Sequence, residues 1–419
     1  MHRAIDRCRV CGNADLEPAL DLGTQALTGV FPKTRDENVP GMPLQLVRCV
    51  TGGDLDKCGL LQLRHSAAPE AMYGAEYGYR SGLNRSMVTH LQGKVETIRA
   101  RMPLAPGDLV IDIGSNDGTT LAAYPKDGAD LVGVDPGGAA FARYYPPHVR
   151  LVPDFFSARV LDAAIGPRKA KVITSFSMFY DLEDPRAFMA EVADRLDDAG
   201  IWVLEQSYMP TMLAMNAYDT VCHEHLEYYG MSQIRWMMER AGLVILDVEF
   251  NAVNGGSFSI VAAKRGEPDL DARGRIAGVL QRETDLGLDT PAPYAAFAER
   301  VARHRDELRA YLRGARAEGR RVLGYGASTK GNVLLQYCGV GAEDLACIAE
   351  VNTDKFGRFT PGTRIPIVSE DEARALKPDL FLVLPWHFRD NILERERAWL
   401  AGGGRLLFPL PRLEVVGAA

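Results

Sequence analysis

The stretch Val110-Ile-Asp-Ile-Gly-Ser-Asn-Asp-Gly-Thr-Thr-Leu121, followed by Leu131-Val-Gly-Val-Asp-Pro136, decides the fold. Both segments begin as runs of apolar β-formers. The first ends in a glycine-rich turn and the second ends in Asp135. In a doubly wound parallel sheet, the carboxyl ends of such strands lie side by side at the ligand crevice. The sequence therefore predicts a Rossmann-like sheet with a small-molecule site at Gly114 and Asp135.

The spacing of the glycines limits the ligand of this site. Gly114-Ser-Asn-Asp-Gly118 lacks the middle glycine of the dinucleotide fingerprint G-x-G-x-x-G. Asp112 and Asp117 would repel a diphosphate but suit the cationic sulfonium and amino group of S-adenosylmethionine. Asp135 can accept hydrogen bonds from both hydroxyls of a ribose. We therefore expect a site for this methyl donor, with the candidate residues Asp112, Gly114, Asn116, Asp117, Asp135, Pro136, Asp154, Phe155, Phe176 and Met178.

Two of the last four candidates lie between the second and third strands of the predicted sheet, and the other two lie at the end of the third strand. Asp154-Phe-Phe156 can place an aromatic ring near adenine, and Ser175-Phe-Ser-Met-Phe-Tyr-Asp181 ends the strand beside which the methyl donor is expected. Phenylalanines in these positions fit equally well as ordinary core residues.

Composition excludes several classes of protein. The chain has 419 residues, 47% of them apolar and 25% charged, and a net charge of −7. This length predicts two to three domains. The acidic balance and the lack of a long basic run weigh against nucleic-acid and anionic-membrane partners. No apolar stretch reaches the roughly 18 residues of a transmembrane helix, and the first residues lack the apolar core of a signal peptide. We expect a cytoplasmic protein with reduced cysteines.

Four cysteines are crowded into the first 58 residues. Cys8-Arg-Val-Cys11 is a C-x-x-C knuckle, and Cys49 and Cys58 form a second, looser pair around a small insertion. Two such pairs predict a tetrahedral, closed and therefore structural Zn²⁺ site. One alternative is a single knuckle with unrelated buried cysteines. A redox C-x-x-C is less favoured because no strand–helix pattern surrounds it.

Strands and helices alternate twice along the chain, and this pattern is typical of parallel sheets covered by helices. The fold class predicted is α/β, with a class I methyltransferase Rossmann-like domain flanked by an N-terminal zinc-binding module and a C-terminal Rossmann-like domain. The predicted units are a zinc-binding module with short strands over 1–70, an S-adenosylmethionine-binding methyltransferase domain over 71–265, a helical connector over 266–320 and a C-terminal Rossmann-like sugar-nucleotide-binding domain over 321–419.

The second glycine-rich turn, Gly324-Tyr-Gly-Ala-Ser-Thr-Lys-Gly331, differs from the first because it contains no acidic residue. Its backbone amides at a helix start, its hydroxyls and its lysine suit a diphosphate. The alternative is a helix cap with solvated basic residues. The candidate substrate ligands of this part of the chain are Ser328, Lys330, Asn332, Lys355 and Arg358.

A dense group of proton-transfer side chains lies in Tyr218-Asp-Thr-Val-Cys-His-Glu-His-Leu-Glu-Tyr-Tyr229. The spacing H-E-H does not fit the zinc-protease pattern H-E-x-x-H, which places two imidazoles on one helix face. One histidine acting as a general base is the better interpretation. A purely structural role for these histidines is the alternative.

Taken together, these motifs resemble the sugar C-methyltransferases that act on nucleotide-linked 4-keto-6-deoxyhexoses. The resemblance covers nearly the whole chain and rests on Cys8-x-x-Cys11 with Cys49 and Cys58-Gly-Leu-Leu-Gln-Leu63, Asp112-Ile-Gly-Ser-Asn-Asp-Gly118, Glu224-His225, Asn254-Gly-Gly256, Gly324-Tyr-Gly-Ala327 with Lys330-Gly-Asn332, and Pro361-Gly-Thr-Arg-Ile-Pro-Ile367.

The resemblance implies a chemistry. A base would remove the proton beside the keto group, and the resulting enolate would attack the methyl of S-adenosylmethionine. It implies His225 as that base, with Glu224 beside it, and Tyr77 or Tyr79 as a donor to the developing oxyanion. It also implies a nucleotide-linked ketosugar, attached to dTDP or GDP, as the substrate, with Asn254 among its ligands.

Two departures from the family pattern accompany this resemblance. Relatives often carry Tyr three residues before the base, where this chain has Cys222. The Cys49–Cys58 pair is more widely spaced than usual. An O-methyltransferase acting on a sugar nucleotide is the alternative function, and a non-enzymatic binding module built on zinc is a third possibility.

Overall fold

The structure is a computed structural model that describes residues 2–67 and 80–417. Its strands in chain order are β1 (Arg3–Ala4), β2 (Leu16–Ala26), β3 (Gly41–Cys49), β4 (Leu61–Leu63), β5 (His65–Ser66), β6 (Leu109–Ile113), β7 (Asp130–Val134), β8 (Val149–Val152), β9 (Ala170–Phe176), β10 (Leu196–Ser207), β11 (Glu227–Tyr228), β12 (Val244–Asn251), β13 (Ser257–Ala263), β14 (Val322–Tyr325), β15 (Ile348–Glu350), β16 (Ile367–Ser369), β17 (Leu380–Val383), β18 (Leu406–Phe408) and β19 (Glu414–Val416).

Its α-helices are α1 (Arg85–Arg101), α2 (Thr119–Ala122), α3 (Gly138–Phe141), α4 (Ala158–Ile165), α5 (Pro185–Arg195), α6 (Met209–Ala214), α7 (Met231–Arg240), α8 (Leu270–Asp285), α9 (Ala292–Ala317), α10 (Thr329–Cys338), α11 (Glu370–Ala375), α12 (Arg389–Arg395) and α13 (Arg397–Ala401). No helix within the described residues is both long enough and apolar enough to cross a membrane.

The middle of the chain forms a seven-stranded sheet in the order β12-β13-β10-β9-β6-β7-β8. Strand β13 runs antiparallel to both of its neighbours, and the other pairings are parallel. Strands β6 and β7 span Leu109–Ile113 and Asp130–Val134, so the two apolar runs of the sequence form neighbouring parallel strands. Every residue of β6 is buried, which explains why four of its five residues are apolar. The predicted α/β fold with a class I methyltransferase sheet is confirmed.

Helix α1 illustrates how the sequence builds one of the covering helices. The Asn84 side chain caps its N-terminus by accepting a hydrogen bond from the Ser86 amide. Its buried residues Met87, Leu91 and Val95 recur at intervals of four, so they form one stripe along the helix. Leu121 and Val110 belong to the same core cluster as Val95, so this stripe covers the sheet next to the glycine-rich turn.

The N-terminal module forms a four-stranded sheet in the order β11-β4-β3-β2. Strands β2 and β3 contain 11 and 9 residues, so the prediction of short strands was wrong for this hairpin. The fourth strand comes from far along the chain, because Glu227 and Tyr228 pair antiparallel with Gln62 and Leu61. The strand that directly follows the His-Glu-His segment therefore completes the sheet of the cysteine module.

The C-terminal part forms a six-stranded sheet in the order β16-β15-β14-β17-β18-β19. All its pairings are parallel except that of β19. One hydrophobic core joins this unit to the rest, since Leu44 and Leu46 of β3, Tyr218 and Phe297, and Leu323 of β14 belong to the same cluster. The N-terminal sheet and the C-terminal unit therefore share a core around the segment that contains the histidines.

Candidate functional site

The four N-terminal cysteines converge on one point. Their Sγ atoms all lie within 4.8 Å of one another, and the pairs Cys8–Cys58 and Cys11–Cys49 are 3.5 Å apart. A tetrahedral zinc with Zn–S distances of about 2.3 Å requires sulfur atoms about 3.8 Å apart. The donor set and its spacing therefore fit Zn²⁺, with all four predicted ligands in place.

The insertion between Cys49 and Cys58 does not disturb this arrangement because it packs against helix α7. The Trp236 indole N–H donates to the Leu55 carbonyl at 3.0 Å, and Arg240 pairs with Asp56 at the same distance. A hydrogen bond also holds Cys49, since the side-chain amide of Asn13 donates to Cys49 Sγ at 3.4 Å. The wider spacing is thus accommodated outside the ligand set.

The first glycine-rich turn has the backbone that its sequence requires. Gly114 has a φ of 72°, and a Cβ there would come within 2.9 Å of Met178 Cγ. Asp135 ties the two strand ends together, because its carboxylate accepts from the amides of Asn116 at 2.9 Å and Gly137 at 2.7 Å. Burial raises the pKa of Asp135. The half-buried Pro136 follows it at the same edge of the sheet.

Asp112 and Asp117, predicted to repel a diphosphate, are both buried and bonded to protein groups. The Thr174 hydroxyl donates to Asp112 Oδ1 at 2.6 Å, and burial raises the pKa of Asp112 to about 7. Asp117 Oδ2 accepts from the Gly82 amide at 2.9 Å and from Arg80 at 3.3 Å. Asp117 therefore anchors the segment before α1 to the turn.

The aromatic residues proposed for the methyl-donor site differ in how much of their surface is exposed. Phe155 is 47% exposed, whereas Phe156 packs against Phe188 with ring centroids 5.1 Å apart. Asp154 is exposed and accepts a hydrogen bond from the Phe155 amide. Phe155 therefore has an exposed ring at the carboxyl end of the sheet. This exposure argues against the alternative that Phe155 is an ordinary core residue. Phe176, at the end of β9, is half-buried against the core.

His225 is held in one tautomer by the backbone. Its Nδ1 lies 2.9 Å from the carbonyl oxygen of Thr220, so Nδ1 carries the proton and donates it to that carbonyl. In the described part of the chain no hydrogen-bond partner contacts Nε2. Burial, followed by the Lys330 charge, lowers the pKa of His225 to about 3. The Tyr180 ring packs edge-on at 4.4 Å. His225 therefore presents a neutral nitrogen with a free lone pair.

The two histidines of the segment face different partners. His223 Nε2 donates to the Met42 carbonyl at 3.2 Å, and its Nδ1 accepts from the Thr28 amide at 3.4 Å. Burial lowers the pKa of His223 to about 4. His223 is 1% exposed, so it connects the segment to the N-terminal sheet and does not face a ligand.

Glu224 lies between the N-terminal module and the segment around His225. The Thr28 hydroxyl donates to Glu224 Oε2 at 3.5 Å, and a Cβ on Gly29 would come within 2.4 Å of Glu224 Oε1. Burial raises the pKa of Glu224, and a hydrogen bond from the Cys222 thiol partly opposes this rise. Burial also raises the pKa of Cys222 well above its usual value. Cys222 is therefore a protonated thiol beside Glu224.

The C-terminal unit contributes groups to the same place. Lys330, the second residue of α10, donates from Nζ to the Asn254 carbonyl at 3.0 Å. The Trp386 indole donates to Asp219 Oδ2 at 2.7 Å, one residue before the carbonyl that holds His225. Burial and then the Lys330 charge lower the pKa of His387.

Sequence reasoning missed Thr28, Asp219, Trp386 and His387. Pro385-Trp-His-Phe388 directly follows the apolar run Leu380-Phe-Leu-Val-Leu384, and this position after a strand-like run is the signal that could have revealed the last two.

Several predicted substrate ligands are bonded to protein groups. The Ser328 hydroxyl caps α10 by accepting from the Gly331 amide at 3.0 Å. The Asn332 amide donates to the Thr28 carbonyl, Lys355 Nζ to the Ala327 carbonyl, and Arg358 to the carbonyls of Asp354 and Phe31. Tyr77 and Tyr79 lie outside the described residues.

Models of known protein families match three consecutive parts of the chain. A model described as a putative zinc binding domain matches residues 8–73, a methyltransferase domain matches 87–248, and a C-methyltransferase C-terminal domain matches 252–411. The C-methyltransferase NovU of Streptomyces niveus is 32% identical over 421 aligned positions, which cover 99% of this chain and 98% of the relative.

Solved structures resemble the methyltransferase part only weakly. A putative methyltransferase in complex with the Haloferax volcanii activator Trm112 is 16% identical and matches 44% of this chain and 95% of its own, with a TM-score of 0.37. A putative methyltransferase of Bacillus halodurans is 12% identical and matches 42% of this chain and all of its own, with a TM-score of 0.34.

The match to NovU extends from the cysteine module through the C-terminal unit. The chain therefore belongs to the C-methyltransferase family and is an S-adenosylmethionine-dependent methyltransferase with a zinc-binding N-terminal module.

Proposed function

We propose that this enzyme methylates the carbon beside the keto group of a nucleotide-linked 4-keto-deoxysugar through an enolate, with His225 as the general base. The observation that carries the proposal is the state of His225. Its Nδ1 is fixed as a donor to the Thr220 carbonyl, which leaves the lone pair of Nε2 free to accept a proton, and the buried ring is neutral at pH 7. A base must be unprotonated and oriented before it can remove a carbon-bound proton.

The proposed steps balance in protons and electrons. His225 Nε2 takes the α-proton, the C–H electron pair forms a C=C bond, and the carbonyl π-electrons move to oxygen. When bound, S-adenosylmethionine supplies the methyl as a sulfonium, whose C–S bond breaks with its electron pair going to sulfur. The α-carbon forms the new C–C bond, the carbonyl is restored, and the imidazolium returns its proton to solvent.

We propose that the methyl donor binds at the carboxyl ends of β6 to β9. Phe155 is exposed where it can cover the adenine, and Asp135 faces the turn that should receive the ribose. Gly114 and Met178 would border the methionine part of the donor, and Asn116 and Pro136 complete the turn. Asp112, Asp117, Asp154 and Phe176 are the remaining proposed members of this site.

We propose that the sugar nucleotide, linked to dTDP or GDP, lies between this sheet and the C-terminal unit. Asn254 supports this placement because it contacts both sides: its carbonyl accepts from Lys330, and its amide donates to the Ser177 hydroxyl at 3.1 Å. Glu224 and one of Tyr77 and Tyr79 would assist His225. The substrate would also contact Ser328, Lys330, Asn332, Lys355 and Arg358.

The test is mass spectrometry of the reaction in deuterated water, with S-adenosylmethionine and dTDP- and GDP-linked 4-keto-6-deoxy sugars. We expect the mass gain of one methyl, and solvent deuterium at the α-position of unreacted sugar. The variant His225→Asn should lose both. The matched control His148→Asn, on the loop before β8, should keep both. Methyl gain with the α-hydrogen retained would contradict the enolate and indicate transfer to oxygen.

A further inference from the structure

The ammonium of Lys330 is only partly satisfied by protein groups. Lys330 is half-buried where the C-terminal unit meets the loop that contains Asn254, and we call this region the recess. Within residues 2–67 and 80–417, Nζ donates to the Asn254 carbonyl at 3.0 Å and no other acceptor lies in hydrogen-bond range. A lysine ammonium has three N–H donors, so further donors remain available to a ligand.

The position of Lys330 is fixed from both sides of the recess. Asn254, which receives its hydrogen bond, is itself held by the Ser177 hydroxyl at 3.1 Å. Ser177 directly precedes Met178, the residue that covers Gly114 in the turn of the methyl-donor site. Lys330 therefore reaches from the C-terminal unit to the end of β9, where the methyl donor is proposed to lie.

The groups around Lys330 are those of the proposed proton transfer. Burial lowers the pKa of Lys330, and Asp219 and then Cys222 partly oppose this shift. Burial is also the main cause of the low pKa values of His225 and His387, and the Lys330 charge adds to it. Asp219 is 1% exposed and is held by the Trp386 indole. A carboxylate near an ammonium favours the charged form of the lysine, so Asp219 counteracts the effect of burial on Lys330.

We propose that Lys330 is a catalytic residue that donates a hydrogen bond to the keto oxygen of the acceptor and stabilises the enolate oxygen. This inference rests on the proposed function. Negative charge appears on that oxygen as His225 removes the α-proton, and a fixed cation in a water-poor site stabilises such charge strongly. The Cys222 thiol is a weak donor and is engaged by Glu224, so it is poorly suited to this role.

The neighbouring groups argue against the diphosphate role that the sequence predicted for Lys330. The amide of Ala327, in the turn before α10, donates to Glu350 Oε2 at 2.8 Å, and Lys355 Nζ is engaged by the Ala327 carbonyl. A diphosphate in that turn would meet the Glu350 carboxylate. Lys330 points away from it, toward Asn254.

The test separates enolate formation from nucleotide binding. The α-deuterium exchange of a dTDP-linked 4-keto-6-deoxy sugar is measured with S-adenosylhomocysteine bound, so that no methyl is transferred, and dTDP affinity is measured by calorimetry. We expect Lys330→Met to slow exchange about 100-fold while dTDP affinity changes less than about threefold. Lys330→Arg should recover part of the loss because it keeps the charge.

The matched control Lys169→Met, which removes an exposed lysine at the opposite edge of the sheet, should exchange like the wild type. Lys330→Gln, which retains hydrogen-bonding capacity, replaces Lys330→Met if the latter fails to bind S-adenosylhomocysteine. Unchanged exchange, or an equal loss of dTDP affinity, would overturn the inference while leaving the proposed function intact. Absence of exchange in the wild type would refute the proposed function and this inference with it.

Discussion

Lowering the pH from 7 to 5 should leave the His225 imidazole neutral. Burial and then the Lys330 charge disfavour the imidazolium and bring the pKa of His225 to about 3, below the ordinary value near 6.5. At pH 5 a group with a pKa of 3 is about 99% neutral, whereas an ordinary histidine is about 3% neutral. The two cases differ about thirtyfold in the fraction of usable base.

The measurement is an NMR titration of protein labelled with ¹³C at the histidine Cε1 positions. The spectrum of His225→Asn identifies the His225 signal. We expect this signal to keep the shift of a neutral ring with a protonated Nδ1 from pH 8 to pH 5, because the Thr220 carbonyl holds that proton.

The kinetic consequence follows from the sign of the shift. A base with a depressed pKa stays active above that pKa and is lost only as pH falls through it, so His225 should contribute no acidic limb to kcat/KM between pH 7 and 5. A His225 midpoint near 6.5 would refute this reasoning, since the imidazole would then be solvated and not enclosed.

Three further perturbations test the surroundings of the site. Gly29→Ala should reduce kcat/KM about tenfold, because its Cβ would displace Glu224 Oε1, while Gly274→Ala, which meets nothing within 4 Å, leaves the rate unchanged. Phe155→Ala should raise the KM for S-adenosylmethionine about fivefold, through loss of stacking worth about 1 kcal/mol, and an unchanged KM would remove Phe155 from the adenine site. His223→Gln should cost stability at pH 7, and denaturant unfolding should show that this cost shrinks by about 2 kcal/mol at pH 5. Native His223, with a pKa of about 4, cannot take the proton that the unfolded chain binds below about pH 6.5, so a constant difference would contradict the burial argument.

Features with local causes could be predicted from the sequence. Strand β6 was recognisable because all its residues are buried, which favours a mostly apolar run that Asp112 alone interrupts. The zinc ligands were recognisable because C-x-x-C spacing is a property of a short segment. The strand ends of the seven-stranded sheet followed from the same logic, since acidic and glycine residues interrupt the apolar runs there.

The environment of His225 could not be predicted, because it depends on contacts between distant parts of the chain. Thr28 meets Glu224 across 196 residues, and Trp386 meets Asp219 across 167. No periodic pattern in the sequence predicts contacts between residues so far apart in the chain. The role of the acidic turn was also hidden, since the same aspartate can face a ligand or accept the Gly82 amide, as Asp117 does.

The placement of the proposed base, His225, depends on all three parts of the chain that match family models. Strand β4, directly after the zinc ligand Cys58, pairs with β11, which begins two residues after His225. The Leu226 amide donates to the carbonyl of Tyr180, in the turn that follows β9, at 2.8 Å, and Trp386 of the C-terminal unit holds Asp219. A base must be fixed to within a fraction of an ångström to act on a carbon-bound proton, and a segment without regular structure of its own cannot achieve this. The zinc module and the C-terminal unit therefore hold the proposed base in place as much as the seven-stranded sheet does.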